Sequence, residues 1–336
     1  MKDILIMGIE SSCDETSVAI VKNGREVLSN VINSQIKIHE EYGGVVPEIA
    51  SRCHVEVINM IMKQAIKKAN VKLEDIDAIA VTQGPGLVGA LLVGVSYAKG
   101  LSYVTKKPLI AVNHIEGHIA GNYLTHKDLK PPFLCLIISG GHTHLVNVKS
   151  YNEFEILGKT RDDAVGEAFD KVARVLGLPY PGGPEVSKLA IEGEFTYKLP
   201  KTKFDNYDFS FSGIKTAVIN IAHKEGEKLK REDLACSFEE TVTDELVDNC
   251  LRAMKDLKIN KVVLAGGVSA NLVLREKLLK ASKQRNYECF LPDLKYCTDN
   301  AAMIASAAHY NYICGKSFDI KDKLDLNAIA NLKIGE

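Results

Sequence analysis

The chain has 336 residues, with 42 Lys and Arg against 43 Asp and Glu, and therefore a formal net charge of −1 at pH 7. This balance excludes a strongly basic protein that coats nucleic acid through bulk charge alone, although a local basic face remains open. Hydrophobic residues make up 46% of the chain and charged residues 25%, which fits a globular protein and excludes collagen-like and disordered classes.

Cysteine usage and the N-terminus indicate a compartment. The eight cysteines are scattered singly with no C-x-x-C pair, so they resemble neither a disulfide framework nor a zinc ribbon. The opening Met1-Lys2-Asp3 precedes an apolar run that is too short for a signal peptide. No stretch reaches about 18 consecutive apolar residues, so we expect no membrane span. The sequence predicts a cytoplasmic protein.

The N-terminal part of the chain predicts three strands, a helix, a strand and a helix. The predicted bounds are 4–9, 17–22 and 26–32 for the strands, 47–69 for the helix, 77–82 for the next strand and 87–104 for the second helix. Asn23-Gly24 between the second and third strands predicts a hairpin, because both turn residues need positive φ. Pro47 is a good first helical residue.

Much the same order recurs after residue 130. Predicted strands at 133–139, 144–149 and 153–157 precede a helix at 163–176, and further elements follow at 233–257, 261–264, 270–283, 287–291 and 300–314. This recurrence predicts a duplicated α/β fold with two similar lobes, mostly parallel sheets and a cleft between the lobes. We expect one lobe at 1–110 plus 300–336 and the other at 111–299, with a helical insertion at about 184–257.

Three predicted strand ends carry turns of small residues. Their sequences are GIESSCDET at 8–16, SGGHT at 139–143 and AGGVSAN at 265–271. Glycines let backbone N–H groups approach phosphate oxygens, and a single Gly-Gly pair is usually only a turn. Three such turns at corresponding strand ends predict a nucleotide between the lobes. P-loop and Rossmann folds are disfavoured, because neither G-x-x-x-x-G-K-[ST] nor a G-x-G-x-x-G after the first strand occurs.

His114 and His118 form a pair at i and i+4, which places both imidazoles on one helix face within reach of one metal ion. The same spacing also arises by chance on a solvated helix, so both interpretations remain open. Zinc proteases have their general base directly after the first histidine, in H-E-x-x-H. Glu116 is two residues on, about 200° round the helix from His114, and should point away. A protease mechanism is therefore disfavoured.

Other polar residues have both a functional and a structural interpretation. Asp299 precedes an apolar helix, where it would be an N-cap or a third metal ligand. His142 and His144 are further candidate ligands or phosphate donors. Asp14 and Glu15 would face the cleft, or would simply cap a turn and be solvated.

Other features of the second half have simpler interpretations. The simplest interpretation of Asp170 is a salt-bridged surface residue. The simplest interpretation of the turn YPGGPE at 180–185 is a rigid connection between helices. Lysines are usually solvated charges, but a cluster in the insertion marks where a polyanion could dock. Its members are Lys188, Lys198, Lys201, Lys203 and Lys215.

Seven motifs together resemble a known family, the tRNA threonylcarbamoyladenosine transferases (TsaD family). In chain order they are GIESSCDET at 8–16, QGPGL at 83–87, NHIEGH at 113–118, SGGHT at 139–143, YPGGP at 180–184, FSFSGIK at 209–215 and GGVSAN at 266–271. The match covers nearly the whole chain. The His-x-Glu-Gly-His form is similar to the bacterial or mitochondrial branch.

The resemblance implies a fold, a reaction and a set of site residues. The fold is that of actin, Hsp70 and sugar kinases (ASKHA), and the reaction transfers a threonylcarbamoyl group from threonylcarbamoyl-AMP to N6 of adenine 37 in tRNAs that read ANN codons. The resemblance implies one divalent metal ion per subunit, which is iron or alternatively zinc. The implied ligands are His114, His118 and Asp299. The implied adenylate-binding residues are Ile137, Ile138, Ser139, Gly140, Gly141, Asp170, Gly183 and Asn271. Many members carry an acidic residue four positions after Gly183, where this chain has Ser187, so the ribose contact is lost or is taken over by Glu185.

The resemblance also implies partners, and the chemistry suggests a base. The implied partners are tRNA, a paralogous TsaB-like subunit and a small TsaE-like ATPase. We hypothesise that Asp14, assisted by Glu15, orients or deprotonates the attacking adenine amine. The alternative is an ASKHA-fold ATPase or kinase-like nucleotide-binding protein, but the His114 and His118 pair has no place in phosphoryl transfer.

Overall fold

The computed structural model describes residues 2–323 and 325–335. The strands are β1 Leu5–Glu10, β2 Glu15–Lys22, β3 Glu26–Ser34, β4 Ala78–Gly84, β5 Leu109–Asn113, β6 Phe133–Ile138, β7 Thr143–Ser150, β8 Glu153–Lys159, β9 Lys261–Ala265 and β10 Glu288–Phe290. The α-helices are α1 Ile36–Glu40, α2 Pro47–Ala69, α3 Val88–Thr105, α4 His114–Thr125, α5 Val165–Val175, α6 Gly182–Ala190, α7 Ser212–Glu225, α8 Arg231–Leu257, α9 Leu272–Gln284 and α10 Ala301–Ile313.

Two five-stranded sheets show the same arrangement. One has the order β3-β2-β1-β4-β5 and the other β10-β9-β6-β7-β8. In the first sheet β1 is antiparallel to β2 and parallel to β4. In the second sheet β6 is antiparallel to β7 and parallel to β9. The duplication predicted from the order of elements is therefore confirmed.

The chain divides into two compact units whose boundaries differ from the predicted lobes. The first unit contains residues 1–130, 151–153 and 292–336, and the second contains 131–150 and 154–291. Segments 111–130 and 292–299, which we expected in the second lobe, belong to the first unit. The reason is long-range packing: β5 extends the first sheet beside β4, and α4 packs against α10.

Buried aliphatic residues of the sheet and of α2 and α3 form the core of the first unit. Met7, Ile9, Val81 and Val95 are among its members. Helix α3 is long and apolar enough to cross a membrane by length and composition. It packs against α2 and β4 with Ala90, Leu91, Val95 and Ala98 buried, and 33% of its residues are buried in all.

In the second unit, aromatic rings join the helices to the sheet. Phe169 of α5 and Phe238 of α8 pack edge to face with their ring centroids 4.9 Å apart, and Phe209 and Phe211 are fully buried in the same cluster. The predicted insertion contains most of α6, all of α7 and α8, and a polar segment without regular structure between α6 and α7.

Residues 327–335 form a tail that lies against the first unit. Gln83 donates its side-chain amide to Asn327 O at 3.0 Å and accepts the Ile329 amide at its backbone carbonyl at 2.9 Å. Asn113 donates to Lys333 O at 2.9 Å. The tail is therefore attached beside the start of α4.

Candidate active site

Helix α4 carries the histidine pair, and its start is fixed by Asn113. The Asn113 side chain accepts the Ile115 N–H at 2.9 Å and so caps the helix. His114 and His118 then lie one turn apart, both buried, with ring centroids 4.6 Å apart in an edge-to-face arrangement. The predicted placement of both rings on one helix face is what the structure shows.

The cap of α10 decides between the two interpretations of Asp299. The N-cap of α10 is Asn300, whose side chain accepts the Met303 N–H at 3.1 Å. Asp299 is therefore not needed for capping. Its Oδ1 lies 3.4 Å from His114 Nε2 and 3.1 Å from His118 Nε2.

Together His114, His118 and Asp299 form what we call the His-His-Asp cluster. One ligand atom from each lies within 4.8 Å of the other two. His118 Nε2 makes no hydrogen bond of acceptable geometry within the described part of the chain, although Asp299 Oδ1 is close to it. An unsatisfied, buried imidazole nitrogen beside a carboxylate oxygen is the arrangement that a three-ligand metal site presents. The donor set thus fits one divalent metal ion.

Charge interactions strongly shift the pKa values of two members of the cluster, His114 and Asp299. Burial disfavours a charged His114, but Asp299 and Glu10 outweigh burial and hold the pKa of His114 well above its usual range. Burial likewise opposes ionisation of Asp299, but His114 and His118 hold its pKa well below its usual range. Without a metal the cluster is therefore an ion pair. A bound cation would take the place of the proton on His114.

Glu10 is a further member of this site that the sequence reasoning did not single out. It ends β1, is fully buried, and its Oε2 lies 3.0 Å from His114 Nδ1. Thr82 Oγ1 donates to the same carboxylate at 2.7 Å, and the Ser12 N–H donates at 2.6 Å. An acidic residue at the end of an otherwise apolar buried strand was the available signal, because buried acids need partners.

Asp14 and Glu15 lie in the same unit as the cluster. Asp14 is almost completely buried, and its carbonyl accepts the Gln35 N–H at 3.0 Å. Glu15 accepts from Ser34 Oγ at 3.0 Å. Burial, the Asp14 charge and the Asp299 charge raise the pKa of Glu15 to about 10.

Glu116 is committed elsewhere, as the helical geometry predicted. Its Oε1 accepts the Gly335 N–H at 3.1 Å, so it holds the tail. Gly117, next to it in the motif, lies where α4 packs on α10, and a Cβ there would be 2.7 Å from Ile304 Cδ1. The motif therefore combines the two histidines of the cluster, a residue that holds the tail and a residue that permits close packing.

In the second unit the small-residue turns lie at one edge of the sheet. β6 and β9 are parallel neighbours, so the turn at 139–143 and the turn at 265–271 follow strand ends on the same side. Gly266 has φ +88°, and a Cβ there would be 2.4 Å from Ile138 O. At Gly140, Gly141 and Gly267 an added Cβ would meet nothing within 4 Å. The backbone of these three glycines is therefore open to a ligand.

Asp170 and Gly183 lie together beside this edge. Asp170 Oδ1 accepts the Gly182 N–H at 2.7 Å at the start of α6. Burial raises the pKa of Asp170, and hydrogen bonds from the Gly182 and Gly183 amides oppose that effect. Asp170 is thus not the exposed ion-pair residue of the simpler interpretation. A Cβ at Gly183 would meet open space.

Asn271 belongs to a polar cluster with Ser187 and Glu239. Its Oδ1 accepts the Leu274 N–H at 2.8 Å and caps α9, and its Nδ2 donates to Glu239 Oε1 at 2.7 Å. Ser187 Oγ donates to the same Glu239 oxygen at 2.5 Å. Glu185 instead pairs with Lys188. The acidic group beside Ser187 is therefore Glu239 of α8, which the sequence reasoning missed; an acid on the buried face of that helix was its signal.

Other predicted residues contribute less than expected. Ile137 and Ile138 are fully buried strand residues, so only their backbone is available to a ligand. Burial and the Lys159 charge lower the pKa of His144 to about 4, and neither His142 nor His144 belongs to the metal cluster found among the described residues. Acidic partners neutralise three of the five clustered lysines, in the pairs Lys188–Glu185, Lys201–Asp244 and Lys215–Asp163.

Comparison with known proteins identifies the family. The model of the family described as "tRNA N6-adenosine threonylcarbamoyltransferase" (TsaD) matches residues 26–306. The chain belongs to this family.

Relatives from clostridia agree over their whole length. Proteins named tRNA N6-adenosine threonylcarbamoyltransferase are 58% identical in Clostridium botulinum strain 657, 57% in Clostridium novyi and 55% in Clostridium perfringens strain SM101, each over 100% of this chain and at least 99% of the relative. The expected family, its transferase activity and its bacterial branch are confirmed.

Solved structures support the fold alone, because their sequences are distant. Full-length HypF in a phosphate- and nucleotide-bound form covers 94% of this chain and 56% of that chain, with a TM-score of 0.64 and 18% identity. A component of Acidaminococcus fermentans (R)-2-hydroxyglutaryl-CoA dehydratase covers 92% and 99%, with a TM-score of 0.54 and 15% identity. These neighbours confirm the predicted ASKHA-type fold of the TsaD family member.

Proposed function

We propose that this chain transfers the threonylcarbamoyl group from threonylcarbamoyl-AMP to N6 of adenine 37 in tRNAs that read ANN codons. The observation that carries the proposal is the His-His-Asp cluster, in a chain that is 58% identical to a relative with this transferase name. An ATPase or kinase of the same fold has no use for such a cluster in phosphoryl transfer.

His114, His118 and Asp299 would hold one divalent ion, with iron as the expected metal and zinc as the alternative. Bound there, the ion would supply Lewis-acid polarisation and a template for the donor. Three protein ligands leave positions open for a substrate oxygen. The buried ligands and the fixed helix starts mean that this site needs little rearrangement to bind the ion.

The second unit would bind the adenylate portion of the donor. The open backbone at Gly140, Gly141 and Gly267 is suited to phosphate oxygens, because its N–H groups can approach closely. Asp170, Gly183 and Asn271 would hold the nucleoside, with Glu239 and Ser187 fixing the Asn271 amide. The donor is a mixed anhydride, so its carbonyl is already activated, and the protein must orient the amine and stabilise the departing AMP phosphate.

Asp14 and Glu15 would act on the adenine amine. In the transfer, a bond forms between N6 and the carbamoyl carbon, the bond from that carbon to the phosphate oxygen breaks, and N6 loses one proton. We propose that the Asp14 carboxylate accepts this proton. Glu15, whose pKa is raised by burial and by its acidic neighbours, would serve as a hydrogen-bond donor. A carboxylate within hydrogen-bond reach of the amine can do this work as a general base.

Partners and compartment follow from charge and chemistry. With a net charge of −1 and three of the clustered lysines paired with acids, the chain should hold tRNA weakly by itself. We therefore propose that a TsaB-like subunit and a TsaE-like ATPase assist it. None of the eight cysteines forms a disulfide, which suits a reducing cytoplasm, where its tRNA substrate is found.

The test is mass-spectrometric nucleoside analysis of tRNA incubated with the protein and pre-made threonylcarbamoyl-AMP, with and without the helper subunits. The unaltered protein should form modified adenosine, whereas His114→Ala and His118→Ala should reduce it to background. Glu116→Gln, on the same helix but bonded to the tail, is the matched control and should remain active. Product formation by both histidine variants would rule the cluster out of the reaction.

A further inference from the structure

Glu10 occupies an unusual position for an acidic residue. Its side chain is fully buried at the end of β1, where an unpaired carboxylate would be costly. Its partners are the Thr82 hydroxyl at 2.7 Å, the Ser12 amide at 2.6 Å and the His114 Nδ1 atom at 3.0 Å. Thr82 and Ser12 therefore fix the carboxylate, and the fixed carboxylate contacts one nitrogen of a metal-ligand histidine.

The two nitrogens of His114 face different groups. Nδ1 faces Glu10 and, at 3.2 Å, Ser12 Oγ, whereas Nε2 faces Asp299 at 3.4 Å. An imidazole that binds a metal through Nε2 keeps its proton on Nδ1 and donates it to a neighbour, which fixes the tautomer and the ring plane. No comparable bond to the Nδ1 atom of His118 exists within the described residues.

We propose that Glu10 is a positioning residue for the metal site: its carboxylate accepts the His114 Nδ1–H and so directs Nε2 toward His118 and Asp299. It acts through His114 and touches neither metal nor substrate. The inference rests on the metal site of the proposed function but not on the transfer reaction, so metal binding alone can test it.

The experiment measures Co²⁺ binding to the metal-stripped full chain by chelator competition and by the visible absorption of the bound ion. Glu10→Ala should weaken Co²⁺ binding by about 10-fold to 100-fold, the range found when a partner of a metal-ligand histidine is lost. Glu10→Gln can keep an acceptor oxygen toward His114 only with its NH₂ group against the Ser12 N–H, so its affinity should lie between that of Glu10→Ala and that of the unaltered protein. Glu116→Gln is the matched control and should bind Co²⁺ like the unaltered protein.

Several outcomes overturn the proposal. Unchanged Co²⁺ affinity and spectrum in folded Glu10→Ala would do so, and so would Glu10→Gln that binds as weakly as Glu10→Ala. Absence of Co²⁺ binding to the unaltered protein would disprove the metal site itself. That result is distinct from Co²⁺ binding that does not depend on Glu10. If Glu10→Ala does not fold, Thr82→Val removes one of the groups that fix Glu10, and it should weaken binding about threefold; no change would contradict the proposal.

Discussion

The two units hold their candidate sites by different physical means. In the first unit, ionisable side chains converge on one point: two histidines, Asp299 and the buried Glu10. Their charges raise the pKa of His114 and lower the pKa values of Asp299 and Glu10. In the second unit, backbone turns with open glycines provide the candidate surface, with one amide held by a carboxylate and a hydroxyl. Charged side chains suit a cation, whereas a glycine-lined turn of backbone suits a phosphate.

Because the two sites are built differently, we expect a substitution in one unit to affect the ligand of that unit alone. A change of charge in the first unit should remove metal binding and leave nucleotide binding intact. A change of shape or amide contacts in the second should do the reverse. Each of the following experiments measures the ligand or the stability of the unit that the substitution changes.

Asp299→Ala should have the largest effect. It removes the carboxylate between the two histidines, so we expect metal content to fall to background and transfer to fall at least about 100-fold. Metal analysis of the purified protein and nucleoside mass spectrometry measure these two losses. Asn300→Ala is the neighbouring control: it removes the cap of α10 and should cost about 1 kcal/mol of the free energy of unfolding with metal content unchanged. If Asn300→Ala lost the metal and Asp299→Ala kept it, Asp299 would not be the metal ligand.

Gly266→Ala and Gly141→Ala should separate folding from binding in the second unit. At Gly266 the positive φ and the Cβ distance of 2.4 Å to Ile138 O should lower the free energy of unfolding by more than about 2 kcal/mol. At Gly141 a methyl group meets open space, so stability should change by less than about 1 kcal/mol while AMP binding weakens. Urea unfolding and calorimetric AMP titration measure these quantities. Full AMP affinity in Gly141→Ala would exclude this turn as the phosphate site.

Asn271→Ala should weaken AMP binding by about 10-fold, the equivalent of one well-made hydrogen bond, and should leave Co²⁺ affinity unchanged. Glu239→Gln should cause a smaller loss of AMP affinity, because the glutamine amide can still make part of the contacts to Asn271 and Ser187. Calorimetric titration with AMP measures both. Glu276→Gln, an exposed acid on the same helix α9, is the control. An unchanged AMP affinity in Asn271→Ala would argue against the proposed nucleoside contact.

The smallest effect concerns His144 and pH. Burial lowers its pKa from 6.5 to about 4 in the folded chain, so between these values the unfolded chain binds the proton more readily and stability falls as the pH falls. From pH 7 to pH 5 this group should cost about 1–2 kcal/mol. His144→Gln should lose less stability over that interval than the unaltered protein in urea unfolding. His223→Gln, at an exposed site, should follow the unaltered protein; identical pH dependence of all three would disprove the effect.

Local patterns in the sequence predicted much of the first unit. The spacing of His114 and His118 was sufficient to place both rings on one face, and the Asn23-Gly24 turn was sufficient to predict the β2–β3 hairpin. Both features depend only on residues within one or two turns of the chain. Short β5 was missed because five residues between two helices carry little periodic signal.

Long-range contacts explain what the sequence did not predict. Whether Asp299 caps a helix or faces the histidines depends on Asn300 taking the cap, and its histidine partners are more than 180 residues away. The contact between Glu10 and His114 spans 104 residues. The unit boundaries differ from the prediction for the same reason, because α4 joins the first unit through long-range packing, mainly on α10. Such pairings are determined by tertiary packing and leave no local pattern.

The attachment of residues 327–335 has a practical consequence for measurement. The Ile329 amide is bonded to Gln83 O and the Gly335 amide to Glu116 of the histidine helix. These two amide hydrogens should therefore exchange with deuterated solvent faster when the chain around Gln83 and α4 opens, and more slowly when it is held closed. A peptide from this tail, followed by mass spectrometry, would report on the site without any label placed inside it.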